Sequence, residues 1–79
     1  MDYMTGFHCK YIEDGERIAR KLNPTDYRIS KSTDEEFPHF VTLYFSMYST
    51  EWQRMTQQAT EIRDLLIAEL NKNATISRF

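Results

Sequence analysis

The chain has 79 residues, a formal net charge of −2, 41% hydrophobic and 28% charged residues. A chain of this length makes one domain and buries only about 60% of the surface it exposes when unfolded, while the composition is that of a folded protein and not a disordered one. With no basic block and only the short acidic run Asp34-Glu35-Glu36, there is no electrostatic footprint for generic binding to nucleic acid or anionic lipid.

Cys9 stands alone and cannot close an internal disulfide, and no apolar run reaches the length of a membrane span or a signal-peptide core. The expected setting is therefore a reducing cytoplasm, with no membrane.

Residues 1–22 carry two competing patterns. Met4, Phe7, Tyr11, Ile12, Gly15, Ile18, Ala19 and Leu22 keep a helical period, and Glu13 with Arg17 and Glu16 with Arg20 are acid-before-base pairs four apart. These predict a helix over 5–22 with Gly15 on its apolar face, where a missing side chain admits close approach of another backbone. Alternation of Phe7, Cys9 and Tyr11 between Gly6 and Gly15 predicts instead a short strand over 7–12 before a helix starting near Asp14. Asn23-Pro24 closes the element, because proline disfavours the helical conformation in the residue before it.

Residues 27–32 alternate as a short strand, and 40–48 form a β-branched and aromatic run of strand length; the polar link between them predicts an antiparallel hairpin. On the second strand Val41, Leu43, Phe45 and Met47 make an apolar face. Phe40, Thr42, Tyr44, Ser46 and Tyr48 make an aromatic and hydroxylic one.

The strongest signal is an amphipathic helix over 50–71. Trp52, Met55, Ala59, Ile62 and Leu66 fall in one stripe, and Thr50 with Gln53 has the spacing of a capping box. Leu65, Ile67, Ala68 and Leu70 widen the stripe beyond what one sheet face needs. Residues 73–79 read as a flexible tail from which Ile76 and Phe79 could fold back.

The fold class these elements define is α+β: a single domain over 1–79 in a two-layer α-β-β-α order, with both helices on one face of the hairpin. The competing order, β-α-β-β-α, adds the strand at 7–12.

Catalytic and metal chemistry have little to build on. His8 and Cys9 point to different sides of any strand or helix, and His39 can reach only one of them, so neither a cysteine nucleophile with its base nor a three-ligand zinc site is expected. No phosphate loop, paired CxxC or HExxH pattern occurs. The chain is read as a non-enzyme without a cofactor.

Three surfaces are candidate interfaces. Phe40, Tyr44 and Tyr48 with Arg28 nearby make an aromatic platform, a composition shared by protein hot spots and by base-stacking surfaces. Asp34, Glu35, Glu36 and Phe37 make an acidic loop with one apolar anchor that could dock into a basic groove. Leu65, Ile67 and Leu70 are a possible seam for a homodimer or another helix. The near-neutral charge weighs against nucleic acid, since base stacking without flanking lysines fails at physiological salt.

The first functional expectation is a small cytoplasmic protein that binds a larger protein and modulates or inhibits it, as some chains of mobile elements and phages do. The alternative is a single-stranded nucleic-acid binder using the aromatic face with Arg28 and Lys31. The third, an enzyme resting on Cys9 and a histidine, is the weakest.

Overall fold

Residues 2–77 are described by a computed structural model, in which strict alternation along the third strand divides the molecule into two sides. The elements are β1 (Asp2–Cys9), α1 (Ile12–Leu22), β2 (Asp26–Lys31), β3 (His39–Ser46), α2 (Trp52–Lys72) and β4 (Ile76–Ser77). They form an antiparallel four-stranded sheet in the order β2-β3-β1-β4 with two helices, a split-βαβ arrangement. The small α+β class is the one the sequence predicts, but β1 and β4 extend the expected hairpin to four strands.

The core lies between the sheet and the helix layer. Phe7, Cys9, Ile18, Ala19, Val41 and Leu43 are all 0% exposed, with Phe45, Leu66 and Ile76 completing the cluster. Ile62 and Leu70 of α2 and Tyr27 and Ile29 of β2 pack against it. Both helices thus sit on one face, the face that carries Val41, Leu43 and Phe45.

The N-terminal helix expected over 5–22 begins only at Ile12, and β1 occupies residues 2–9. Alternation outweighs the helical period here because Phe7 and Cys9 fill the centre of the core from a strand. Met4 and Tyr11, which completed the helical spacing, are 63% and 53% exposed. The competing strand at 7–12 is nearer the truth but too late, since Tyr11 already stands at the N-cap of α1. The expected hairpin is present as β2 and β3, now with β1 paired along the other side of β3 over its whole length.

α1 ends as the sequence indicates. Asn23 adopts the left-handed conformation at φ 52 and its N–H reaches the carbonyls of Ala19 and Arg20, directly before Pro24. Arg20 pairs with Glu16 at 3.9 Å, whereas Arg17 turns to Asp14 at 3.7 Å and not to Glu13.

α2 starts two residues later than expected. The Thr50 and Gln53 capping box does not form. Glu51 is the N-cap, and its N–H donates to Ser49 Oγ at 3.1 Å. Trp52, placed by its spacing in the buried stripe, is 71% exposed because it lies at the overhanging first turn of a helix about 30 Å long.

Further along, Glu69 is buried and pairs with Lys21 of α1 at 2.5 Å, tying the helices together. The hydrogen bond from Lys21 holds its carboxyl below the usual range, against the opposing effect of burial.

The predicted tail is largely ordered up to Ser77. Lys10 N–H donates to the Thr75 carbonyl at 2.8 Å, the Thr75 hydroxyl donates to Asp14 Oδ2 at 2.8 Å, and Ile76 is 6% exposed in β4. Phe79 lies outside the described residues.

Gly15 sets the depth at which α1 seats on the sheet. A Cβ there would stand 2.8 Å from Val41 Cγ2 and 2.9 Å from Cys9 Sγ, both inside van der Waals contact and both on short, fully buried side chains. Alanine is the better helix former by about 1 kcal/mol, so the two effects oppose each other, and overpacking wins. Gly15→Ala should lower stability by about 1–3 kcal/mol in urea unfolding, and adding Cys9→Ala should restore part of the loss. A Gly15→Ala chain more stable than the parent would show that α1 does not sit this close.

Candidate interaction surface

With both helices on one side, neither covers the other face of the sheet among the described residues. The strand register places Met4, Gly6 and His8 of β1, Phe40, Thr42 and Tyr44 of β3, and Arg28 and Ser30 of β2 on it. Three contacts organise these side chains. The His8 and Phe40 rings meet edge to face with centroids 5.0 Å apart. The Arg28 guanidinium lies 5.8 Å from the Tyr44 ring centroid, within cation–π range. Gly6 makes room for the Phe40 ring: a Cβ on it would stand 2.9 Å from Phe40 Cζ and 2.6 Å from the Val41 carbonyl oxygen.

A shallow depression of about 360 Å³ opens at one end of this face, lined by His8, Phe40, Lys31, Ser32 and Thr33. Phe40, Tyr44 and Arg28 are therefore brought together as the sequence suggests. His8 and Met4 join them from β1; a helix over 5–22 takes His8 out of the sheet and leaves Met4 outside any strand, so the sequence reading did not place them here.

Tyr48 does not belong to this platform. β3 ends at Ser46, and Tyr48 stands beyond it, 91% exposed, beside a groove of about 260 Å³ lined with Phe45, Met47, Gln58 and Ile62. A second groove of about 230 Å³ lies between β1 and the first turns of α2, lined by Tyr3, Met47, Trp52, Met55 and Ala59. Trp52 went unnoticed as a surface residue because its helical spacing is that of a core position.

The acidic loop is built and not merely solvated. Asp34 Oδ1 accepts from the N–H groups of Glu36 at 2.9 Å and Phe37 at 3.1 Å, so this carboxylate is spent on the turn. Glu35 and Glu36 are exposed, while Phe37 is half-buried and so is not the exposed anchor that the sequence suggested. The proposed helix seam also divides. Leu65 is 59% exposed, Ile67 is intermediate, and Leu70 packs on the core, which removes it from any outer seam.

Cys9 faces the core while His8 faces the open side. Burial pushes the Cys9 thiol above its ordinary value, which disfavours the thiolate needed for nucleophilic chemistry. Among the described residues no group of three His, Cys, Asp or Glu side chains could hold a metal ion, and no helix is long and apolar enough to cross a membrane. Comparison with protein-family models, with curated proteins and with solved structures gives no match.

The loop geometry separates Asp34 from its acidic neighbours. Asp34→Ala should raise the amide exchange rates of Glu36 and Phe37 by an order of magnitude or so, and Glu35→Lys should leave them unchanged. Equal effects from the two substitutions would mean that the Asp34 carboxylate does not hold the turn.

Proposed function

We propose that this chain is a small non-catalytic cytoplasmic domain that binds a larger protein and modulates it through the open sheet face. The observation that carries this reading is the placement of both helices on the opposite side, which leaves Phe40, Tyr44, Arg28 and His8 grouped on a rigid surface. Aromatic and arginine side chains on a rigid element are the residues that dominate protein interfaces. Glu35 and Glu36 at the border of the face favour a partner with basic residues around an apolar centre.

A second reading has its own support. In RNA-recognition modules a four-stranded sheet stacks unpaired bases on aromatic side chains, and Phe40 and Tyr44 lie on a central strand here. This is an analogy of fold. Charge weighs against it: Arg28 and Lys31 are outnumbered by Asp2, Asp26, Asp34, Glu35 and Glu36 on β1, β2 and the β2–β3 loop. Phosphate contacts supply most of the affinity of such modules, and this surface offers few.

The test is affinity capture from host lysate with the parent chain and a Phe40→Ala/Tyr44→Ala variant, each with and without nuclease. A stoichiometric protein that survives nuclease, and whose affinity for the variant drops about 30-fold or more, is expected. The same protein held equally by the variant would remove the open face from the interface. Nucleic acid alone would give the second reading precedence.

A further inference from the structure

The two helices lie antiparallel. Asp14 near the start of α1 accepts from Thr75, just past the end of α2, and Lys21 near the end of α1 pairs with Glu69. α1 has 11 residues and α2 has 21, so at 1.5 Å per residue α2 runs on about 15 Å past the end of α1. The flank of α2 that α1 covers at Glu69 therefore has no helix beside it over its first turns, among the described residues.

That flank carries a seam. Arg54, Gln58, Glu61, Leu65 and Ala68 are all exposed and recur at alternating spacings of four and three residues, the spacing at which one helix packs along another. Over its first half the seam borders the groove of about 260 Å³ between α2 and the end of β3, which Phe45, Ile62, Gln58, Glu61 and Tyr48 line. β4 pairs with β1 at His8 and Cys9, whereas β3 ends at Ser46 opposite Asp2. The groove thus lies at the end of the sheet away from β4.

We infer that this seam is a self-association site, at which α2 of a second copy packs antiparallel about a two-fold axis at Gln58, in the place beside α2 that α1 is too short to reach. Charge selects this occupant. Arg54 stands four residues before Gln58 and Glu61 three after it, so the axis sets each Arg54 within one residue, about 1.5 Å along the helix, of the other copy's Glu61. A parallel arrangement would set like charge against like. Gln58 on the axis carries both an amide donor and an acceptor, and so can bond to its symmetry mate. Within its own helix Arg54 Nε meets Glu51 at 3.3 Å and Glu61 Oε1 accepts from Gln57 at 3.4 Å, exposed contacts that leave the terminal guanidinium nitrogens and Glu61 Oε2 for the second copy.

Tyr48 and Leu65 supply the apolar part of the joint. They are 91% and 59% exposed, Tyr48 at the rim of the groove and Leu65 further along the seam. A stable dimer needs about 600 Å² from each copy, near a tenth of the 5602 Å² each presents. Tyr48 supplies roughly a quarter or more of that, since aromatic side chains bury roughly 150–250 Å². The seam is on the helix side, so this pairing leaves the open sheet face free and does not rest on the role proposed for it.

The test is sedimentation equilibrium of the full chain up to about 100 µM, a range that detects weak dimers, with Arg54→Glu, Glu61→Arg and Tyr48→Ser beside the parent. Each replaces an exposed side chain and should leave the circular dichroism unchanged. The parent should sediment at twice 9.5 kDa. Either charge variant alone sets like charges across the axis and should be a monomer, whereas an equal mixture of the two restores opposite charges at both contacts and should dimerise as the parent does. Tyr48→Ser, outside every helix and strand, should weaken the dimer about tenfold or more without touching the seam. A parent that stays monomeric overturns the inference. So does a dimer that both charge variants keep, a mixture that stays monomeric where the parent does not, or a dimer unchanged by Tyr48→Ser.

Discussion

The close approach of α1 to the sheet at Gly15 is the constraint from which the rest of the structure follows. Cys9 and Val41 occupy the space that a side chain at position 15 would need, and all three are buried. This seat lets Ile18 and Ala19 reach the centre of the sheet and leaves Lys21 at the flank, where it meets Glu69 and draws α2 alongside. Both helices are then committed to one side. Among the described residues neither helix covers the other side, so its exposure follows from the packing.

That face is more ordered than an arbitrary solvated surface. Phe40 lies over Gly6 and meets His8 edge to face, and Arg28 shares the surface of Tyr44. Contacts of this kind restrict the rotamers of the aromatic groups, which would lower the entropy cost of any binding there. Chemistry at the same place is disfavoured by the same architecture, because alternation along β1 sends Cys9 into the core and His8 to the surface. The grouping of Phe40 with His8 and the separation of His8 from Cys9 thus have one structural cause.

Much of this was legible in the sequence where one period dominated. Alternation in β3 separated Val41, Leu43 and Phe45 from Phe40, Thr42 and Tyr44, and Asn23-Pro24 marked the end of α1. The N-terminus was not legible, because Met4, Phe7 and Tyr11 satisfy a helical spacing by coincidence while Phe7 and Cys9 are buried from a strand. Tyr48 and Trp52 were misplaced for a different reason. Periodicity gives the direction of a side chain but not where its neighbouring element stops, and both residues stand past the end of β3. Phe37 and Asp34 took their roles from a hydrogen-bonded turn, which composition does not reveal.

The central claim is that α1 covers Cys9 from Gly15, and Cys9 is the chain's one cysteine. Its reaction with a small aromatic disulfide reagent under native conditions, compared with the urea-unfolded chain, reads that cover directly. A domain of ordinary stability opens rarely enough to slow labelling by about a thousand-fold or more, and that is the result the account predicts. Labelling within a few-fold of the unfolded rate would contradict it, because the helix could not then lie over the thiol.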